Sequence, residues 1–196
     1  MPRLPVLLCT IALLVPSAGC SEPPQKEIDR AQQAIDAARA AGAEQYAPET
    51  YNAATAALKQ SHEAVDQRDY RLALSRAVDA GDRAQEATKE ATDNKAKARR
   101  DAESAINAAN AALMQLEARI KTAEAARVPA REIAPARGTV QDATGTLQKA
   151  RAALSAGDLP AARSTVEGLE SQIRSEIRVV EAATTLRTVR RPVRKK

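Results

Sequence analysis

Side chains able to do chemistry are scarce in these 196 residues: one histidine, two cysteines, three tyrosines, and neither Trp nor Phe. Ser61-His62-Glu63 spells nucleophile, base and acid, but adjacent residues on a helix point about 100° apart and do not meet, so the order works against a triad. His62 reads as a solvated helix residue. The acids lack the fixed spacing of a calcium loop, a single histidine cannot assemble a soft-ligand metal site, and no glycine-rich loop offers to cradle a phosphate. Tyr46, Tyr51 and Tyr70 gather around the first helical hairpin, where they either line a small ligand groove or anchor a core otherwise made of small residues. The expectation is a chain with no catalytic residue, no metal and no cofactor.

Two features remain, one near each terminus. Residues 187–196 hold six cations, Arg187, Arg190, Arg191, Arg194, Lys195 and Lys196, and no acid. Together with Arg3 they account for the formal charge of +5; the remaining 23 Lys and Arg face 25 Asp and Glu. A nucleic-acid-binding domain would spread its cations over a folded face, so nucleic acid is not an expected partner. The tail permits three readings: a disordered, solvated end, a salt-dependent contact to anionic polymers or headgroups, or a covalent attachment point.

The other feature is Cys20. Arg3, the apolar run from Val6 to Val15, Pro16 and the small residues Ser17, Ala18 and Gly19 have the layout of an export signal. The run is about ten residues, short of the roughly twenty needed to span a bilayer. The ending Ser17-Ala18-Gly19-Cys20 resembles the lipobox of bacterial lipoproteins, with Ser17 where Leu is usual. That resemblance implies cleavage between Gly19 and Cys20 and a diacylglycerol on the Cys20 thiol, anchoring the chain to a membrane. Cys9 would leave with the signal, so the mature chain would carry one cysteine and no disulfide. Ser21, standing where an Asp would imply inner-membrane retention, implies the outer membrane. A lipidated N-terminal cysteine, an Ala-rich helical body and a final Arg194-Lys195-Lys196 are also similar to Braun's lipoprotein, whose last lysine is joined to peptidoglycan.

The elements between these ends are helices. The chain has 45 alanines and only 7 glycines, a composition of long helices and bundles rather than sheets. Ile28, Ala31, Ile35, Ala38 and Gly42 recur at spacings of three and four, giving a first helix over 25–43. After Tyr46-Ala47-Pro48, with Pro48 suited to a first turn, a second helix runs to about Gln67, with Ala54, Leu58, Ser61 and Val65 inward. Asp69 is placed to cap the third. From Tyr70 to about Arg127 there is no proline, and Ala73, Ala77, Ala80, Ala84, Ala87 and Ala91 keep the alternation before Ile106, Leu113, Leu116 and Ile120 enlarge the seam. Gly81 and Thr92-Asp93-Asn94 are the expected places for this helix to bend or break. Residues 128–136 read as a proline-punctuated linker. A fourth helix carries Val140, Ala143, Leu147, Ala150 and Leu154, and a fifth, capped by Asp158, buries Val166, Leu169, Ile173, Ile177 and Val180 up to about Leu186.

At an offset of 89, Ala54, Thr55, Leu58, Ala64, Asp69, Ala73 and Ser75 fall on Ala143, Thr144, Leu147, Ala153, Asp158, Ala162 and Ser164. The expected architecture is therefore all-α: antiparallel helical hairpins on one long central helix, as two related three-helix units sharing it or as one irregular bundle. The expected organisation is a signal peptide over 1–19, a helical unit over 20–127 that includes the long helix, a hairpin unit over 128–186 and the basic tail over 187–196. Residues 41–91, with Tyr46-Ala47-Pro48-Glu49, Ala57-Leu58 and Asp69-Tyr70, resemble a bacterial helical domain of unknown function found in small lipoproteins and ahead of outer-membrane-protein-A-like domains. The resemblance implies an envelope setting and brings no enzymatic residues. The expected role is a helical spacer or interaction module facing the periplasm, touching peptidoglycan or other anionic envelope components through the tail, with its protein partner unidentified. The alternative is a periplasmic module holding a ligand or peptide between its helices.

Overall fold

The structure, a computed structural model, describes residues 22–189. Every element among them is helical: α1 (Gln25–Ala41), α2 (Ala43–Tyr46), α3 (Pro48–Asp66), α4 (Tyr70–Ala125), α5 (Ala130–Ala156), α6 (Leu159–Thr165) and α7 (Leu169–Val189). The architecture is all-α around one long central helix, as composition and periodicity require.

The first apolar stripe buries Ile28, Ala31, Ile35 and Ala38, but α1 stops at Ala41, two residues before the expected end. Gly42 takes the left-handed conformation (φ +90°), which satisfies the carbonyls of Ala38 and Arg39, and a Cβ there would meet the Tyr46 ring at 3.3 Å. The single turn of α2 follows, and Pro48 opens α3. Asp69 then caps α4 as expected, its Oδ1 accepting the Leu72 N–H at 3.0 Å.

At 56 residues α4 is about 84 Å long. It neither breaks at Gly81 nor at Thr92-Asp93-Asn94, contrary to expectation. Gly81 lies against the backbone of α1 at Ala31. The Thr92 hydroxyl donates back to the Thr88 carbonyl at 2.8 Å, and the Asn94 amide donates to the Tyr46 carbonyl at 2.7 Å, so polar side chains that favour turns are occupied in ways that leave the helix intact.

One face of α4 carries two cores in succession. Ala77, Ala80, Ala84, Ala87 and Ala91 pack with α1, α2 and α3. Ile106, Leu113, Leu116 and Ile120 pack with α5, α7 and Val166, which follows α6. Residues 128–136 are not a linker: α5 begins at Ala130, buries Ile133 and Ala136, and contains Pro135 within the helix. Pro135 is exposed and interrupts only the solvent side of a helix whose other side is held by the core. The expected fifth helix is two: α6 ends at Thr165, and Gly168 (φ +75°) redirects the chain into α7. Val166, Leu169, Ile173 and Val180 are buried nonetheless, with Ile177 half-buried. α7 runs to Val189, so residues 187–189 of the expected tail are helical.

The turn ending α3 and the turn ending α5 correspond bond for bond at the offset of 89. The Asp69 N–H donates to Ala64 O and Arg68 to Val65 O, both at 2.9 Å; Asp158 donates to Ala153 O at 3.0 Å and Gly157 to Leu154 O at 3.2 Å. Asp158 Oδ1 accepts the Ala161 N–H at 3.1 Å, repeating the Asp69 cap. The left-handed position is glycine in the second copy (Gly157, φ +81°) and arginine in the first (Arg68, φ +60°). A Cβ is disfavoured there. Arg68→Gly is therefore expected to stabilise the protein by about 0.5–1 kcal/mol, read as a higher denaturant midpoint at unchanged slope; a lower midpoint would mean the arginine makes a contact worth more than the strain.

Candidate anchoring poles and surfaces

Ser61, His62 and Glu63 diverge. Ser61 is fully buried and its hydroxyl donates to the Ala73 carbonyl at 2.7 Å, tying α3 to α4, while His62 and Glu63 are exposed. Among the described residues no group of three or more His, Cys, Asp or Glu could hold a metal ion.

Tyr70 stands apart from Tyr46 and Tyr51, which corrects the expected cluster; of the two expected uses, groove lining and core anchoring, Tyr46 and Tyr51 take the second. Tyr51 is buried in the first core and Tyr46 is half-buried against it. Tyr46 sits beside Asn94, 24 residues along α4 from Tyr70, which opens that helix, so these two rings lie about 36 Å apart along the axis. Tyr46 and Tyr51 are core anchors. The Arg39 guanidinium lies 5.9 Å from the Tyr51 ring centre, a cation–π contact at an exposed site. Its pKa is raised, first by the hydrogen bond to Glu44 at 3.0 Å and then by the Tyr51 hydroxyl beside it. That hydroxyl is buried and has no partner in hydrogen-bonding geometry among the described residues.

Two open grooves run along the helix seams. One of about 360 Å³ between α1 and α3 is bordered by Gln32, Arg39, Lys59, His62 and Asp66. One of about 500 Å³ between α4 and α5 is bordered by Ile120, Lys121, Glu124, Arg137 and Val140. Neither contains a tyrosine, and in both, charges of the two signs alternate rather than converge.

Helix direction fixes where the chain ends go. α1 runs parallel to α4, since Ala31 lies at Gly81 and Ala41 borders the same hollow as Thr92 and Lys95. α3 runs back, with Thr50 bonded to Glu90 at 2.6 Å and Ser61 to Ala73. α5 is antiparallel, with Arg137 on Glu124 at 2.6 Å and Arg151 on Asn110 at 2.8 Å. α7 is parallel, with Glu181 on Arg119 at 2.8 Å. Gln25, six residues before Ala31, is therefore level with about residue 75 of α4, and Val189, eight beyond Glu181, with about residue 127. The two ends of the described chain lie at opposite poles, about 75–80 Å apart.

Gly19 and Cys20 lie outside the described residues, as do Arg190, Arg191, Arg194, Lys195 and Lys196. Arg187 is exposed in the last turn of α7, where a cation complements the carbonyl end of the helix. No described helix is long and apolar enough to cross a membrane. The sequence reading missed the outer face of α7. Its signal was present in the spacing of Val179, Ala182, Leu186 and Val189, a second apolar stripe on a helix whose first stripe already accounted for a core.

Comparison with known proteins finds no match to this chain among protein-family profiles, curated proteins or solved structures.

Proposed function

We propose that this chain is a lipid-anchored, non-catalytic spacer of the bacterial cell envelope. Cys20, freed by cleavage after Gly19, carries the lipid in the outer membrane; the two bundles stand off into the periplasm; and the cationic residues from Arg187 to Lys196 contact peptidoglycan or another anionic envelope polymer. The observation that supports this most is the polarity of the fold. α1 begins five residues after Cys20 at one pole, and α7 delivers its end to the other, about 75–80 Å away along an unbroken α4. A contact made by the tail would then lie far from the lipid. Each cation near an anionic surface contributes up to about 1 kcal/mol, screened by salt.

Sacculi isolated with and without boiling in detergent test this, probed for the full chain and for a version ending at Val189, which keeps α7 intact. The expected result is retention before boiling, release by salt and loss with the truncation. Retention after boiling would replace the ionic contact with a covalent one, and absence from sacculi in both forms would remove the cell-wall reading. Independently, Cys20→Ala is expected to release the protein from membranes; unchanged membrane association and gel mobility would remove the lipid anchor. Ligand binding between the helices has less support, because the grooves are open and the tyrosines that would line one are apart.

A further inference from the structure

The ten residues of α4 between Ala91 and Ala102 include none that is buried; eight are exposed, and Ala98 and Asp101 are half-buried. Elsewhere on α4 a buried residue returns within four positions, and no other run between buried residues of the described chain is as long. The stretch is tied to other elements only at its edges, by the Asn94 amide on the Tyr46 carbonyl at 2.7 Å and by Asp101 with Arg163 at 3.7 Å. Among the described residues no hydrogen bond or ion pair joins residues 95–100 to another helix. Thr92, Asp93 and Asn94 are poor helix formers, and Lys95 and Arg99, one turn apart, set like charges side by side. A segment held chiefly by its own backbone hydrogen bonds opens at a cost well below that of either core. Opening it breaks no packing between the bundles, because no helix of one packs on a helix of the other.

This stretch also carries the densest run of cations in the described chain. Lys95, Lys97, Arg99 and Arg100 fall within six residues, all exposed, with no acid from Asn94 to Arg100; elsewhere among the described residues six in a row hold at most two cations. A Lys or Arg side chain is what one class of endoprotease selects, through a pocket with an acid at its base. Extended peptides are bound through their main chain, so a helix must open before its backbone can be read this way. Ten residues without a core contact can be drawn out; a packed turn cannot. The turns at Arg68 and Arg127 illustrate the second case. Each is closed by two backbone hydrogen bonds of 2.9–3.0 Å and flanked by buried residues, so extending either would pull helices out of a core.

We propose that residues 95–100 are a processing site, at which an endoprotease specific for Lys or Arg divides the chain into two folded halves. Water adds to the carbonyl carbon of one of the four cationic residues and the bond to the next nitrogen breaks. One proton of the water goes to the leaving amine, and the first half ends in a new carboxylate. Each half keeps its own core, since no residue is common to the two, and the cut severs the one helix that joins them. The proposal rests on α4 and stands whether or not Cys20 carries a lipid or the tail meets the cell wall.

The test digests the full chain carrying Cys20→Ala with a small amount of trypsin and identifies the fragments by mass. Cuts before Gln25 or after Leu186 trim the ends without dividing the molecule. The first dividing cut is expected after one of the four cations, giving halves that part on size exclusion and keep their helical circular dichroism. A variant with Lys95→Gln, Lys97→Gln, Arg99→Gln and Arg100→Gln together is expected to lose that cut with its melting curve unchanged, because all four positions are exposed and Gln favours helix. Subtilisin, which needs no cation, is expected to cut both proteins first between Thr92 and Asp101, since access follows the population of the open segment. A first dividing cut by trypsin outside residues 95–100 would overturn the proposal. Subtilisin sparing the stretch in both proteins would overturn it as well, because the helix would then stay closed, and so would halves that remain together after the cut.

Discussion

Lys97→Pro is expected to turn one cooperative unfolding transition into two and to remove the fixed distance between the poles. The helices α1, α2 and α3 contact one another and α4; α5 contacts α6 and α7, and all three contact α4; no helix of the first group packs on a helix of the second. α4 is thus the mechanical link. Between Ala91, where the first core ends on it, and Ile106, where the second begins, Ala102 is its one fully buried residue. Lys97 lies in this stretch and is exposed, so replacing it removes no core packing. Proline there deletes the N–H that bonds the Asp93 carbonyl and drives its ring into that carbonyl, at a cost of about 3 kcal/mol or a kink. With so little packing holding the stretch straight, the kink is the cheaper response. Circular dichroism should lose only a turn or so of helix, while calorimetry separates the two bundles and the distance between spin labels on Ser75→Cys and Thr188→Cys broadens from a single value near the α4 length. Lys97→Ala should change none of these. A single transition with a sharp distance in the proline variant would show that the bundles are coupled by something other than α4.

Leu116→Ala is expected to cost about 3 kcal/mol, within the roughly 2–5 kcal/mol range for a buried leucine, and to unfold the second bundle first. Leu116 is fully buried between Leu113 and Ile120, one turn on either side, with Ile133, Leu147 and Ile173 in the same core. Removing its side chain loses transfer free energy and leaves a cavity that neighbours already in a helix seam cannot close. The first bundle offers no equivalent target on α4. Its seam there is alanine from Ala73 to Ala91, so backbones approach closely and there is little side chain to remove. Denaturant unfolding monitored by circular dichroism checks the cost; a loss under about 1 kcal/mol would mean that the site collapses around the gap.

The correct readings and the misreadings of the sequence divide along one line. Asp69 and Asp158 were legible as caps because a cap needs only a side-chain oxygen and the N–H three residues on. The buried stripes of α1, α3 and α4 were legible because three/four spacing is a property of one helix. Gly81 and Thr92-Asp93-Asn94 were read as places where the long helix would bend or break, Ile133-Ala134-Pro135 as part of a linker, and residues 159–186 as one helix. A glycine in a helix costs about 1 kcal/mol and a proline about 3 kcal/mol. Burial of Ile133 and Ala136 on one side of α5, and the packing of α1 against Gly81, are terms of the same size that the local sequence does not contain. Gly168 went the other way. Its left-handed conformation separates α6 from α7 and lets both Val166 and Leu169 reach the core.

The candidate sites follow the same division. That the chain is helical, that its apolar positions form stripes, that Cys20 follows a lipobox-like Ser17-Ala18-Gly19 and that cations gather after Leu186 are all properties of neighbouring residues, and the sequence by itself determined them. The tertiary structure decided that Tyr46 and Tyr70 stand about 36 Å apart rather than together, that the start of α1 and the end of α7 occupy opposite poles, and that Val179, Leu186 and Val189 face outward. Each of these depends on which helix lies beside which and in which direction, and that choice is made by cores assembled from residues far apart in the sequence, from Ile28 to Ala91 in one and from Ile106 to Val180 in the other. Helical period shows that a residue has a face, and only packing against a neighbour decides where that face points.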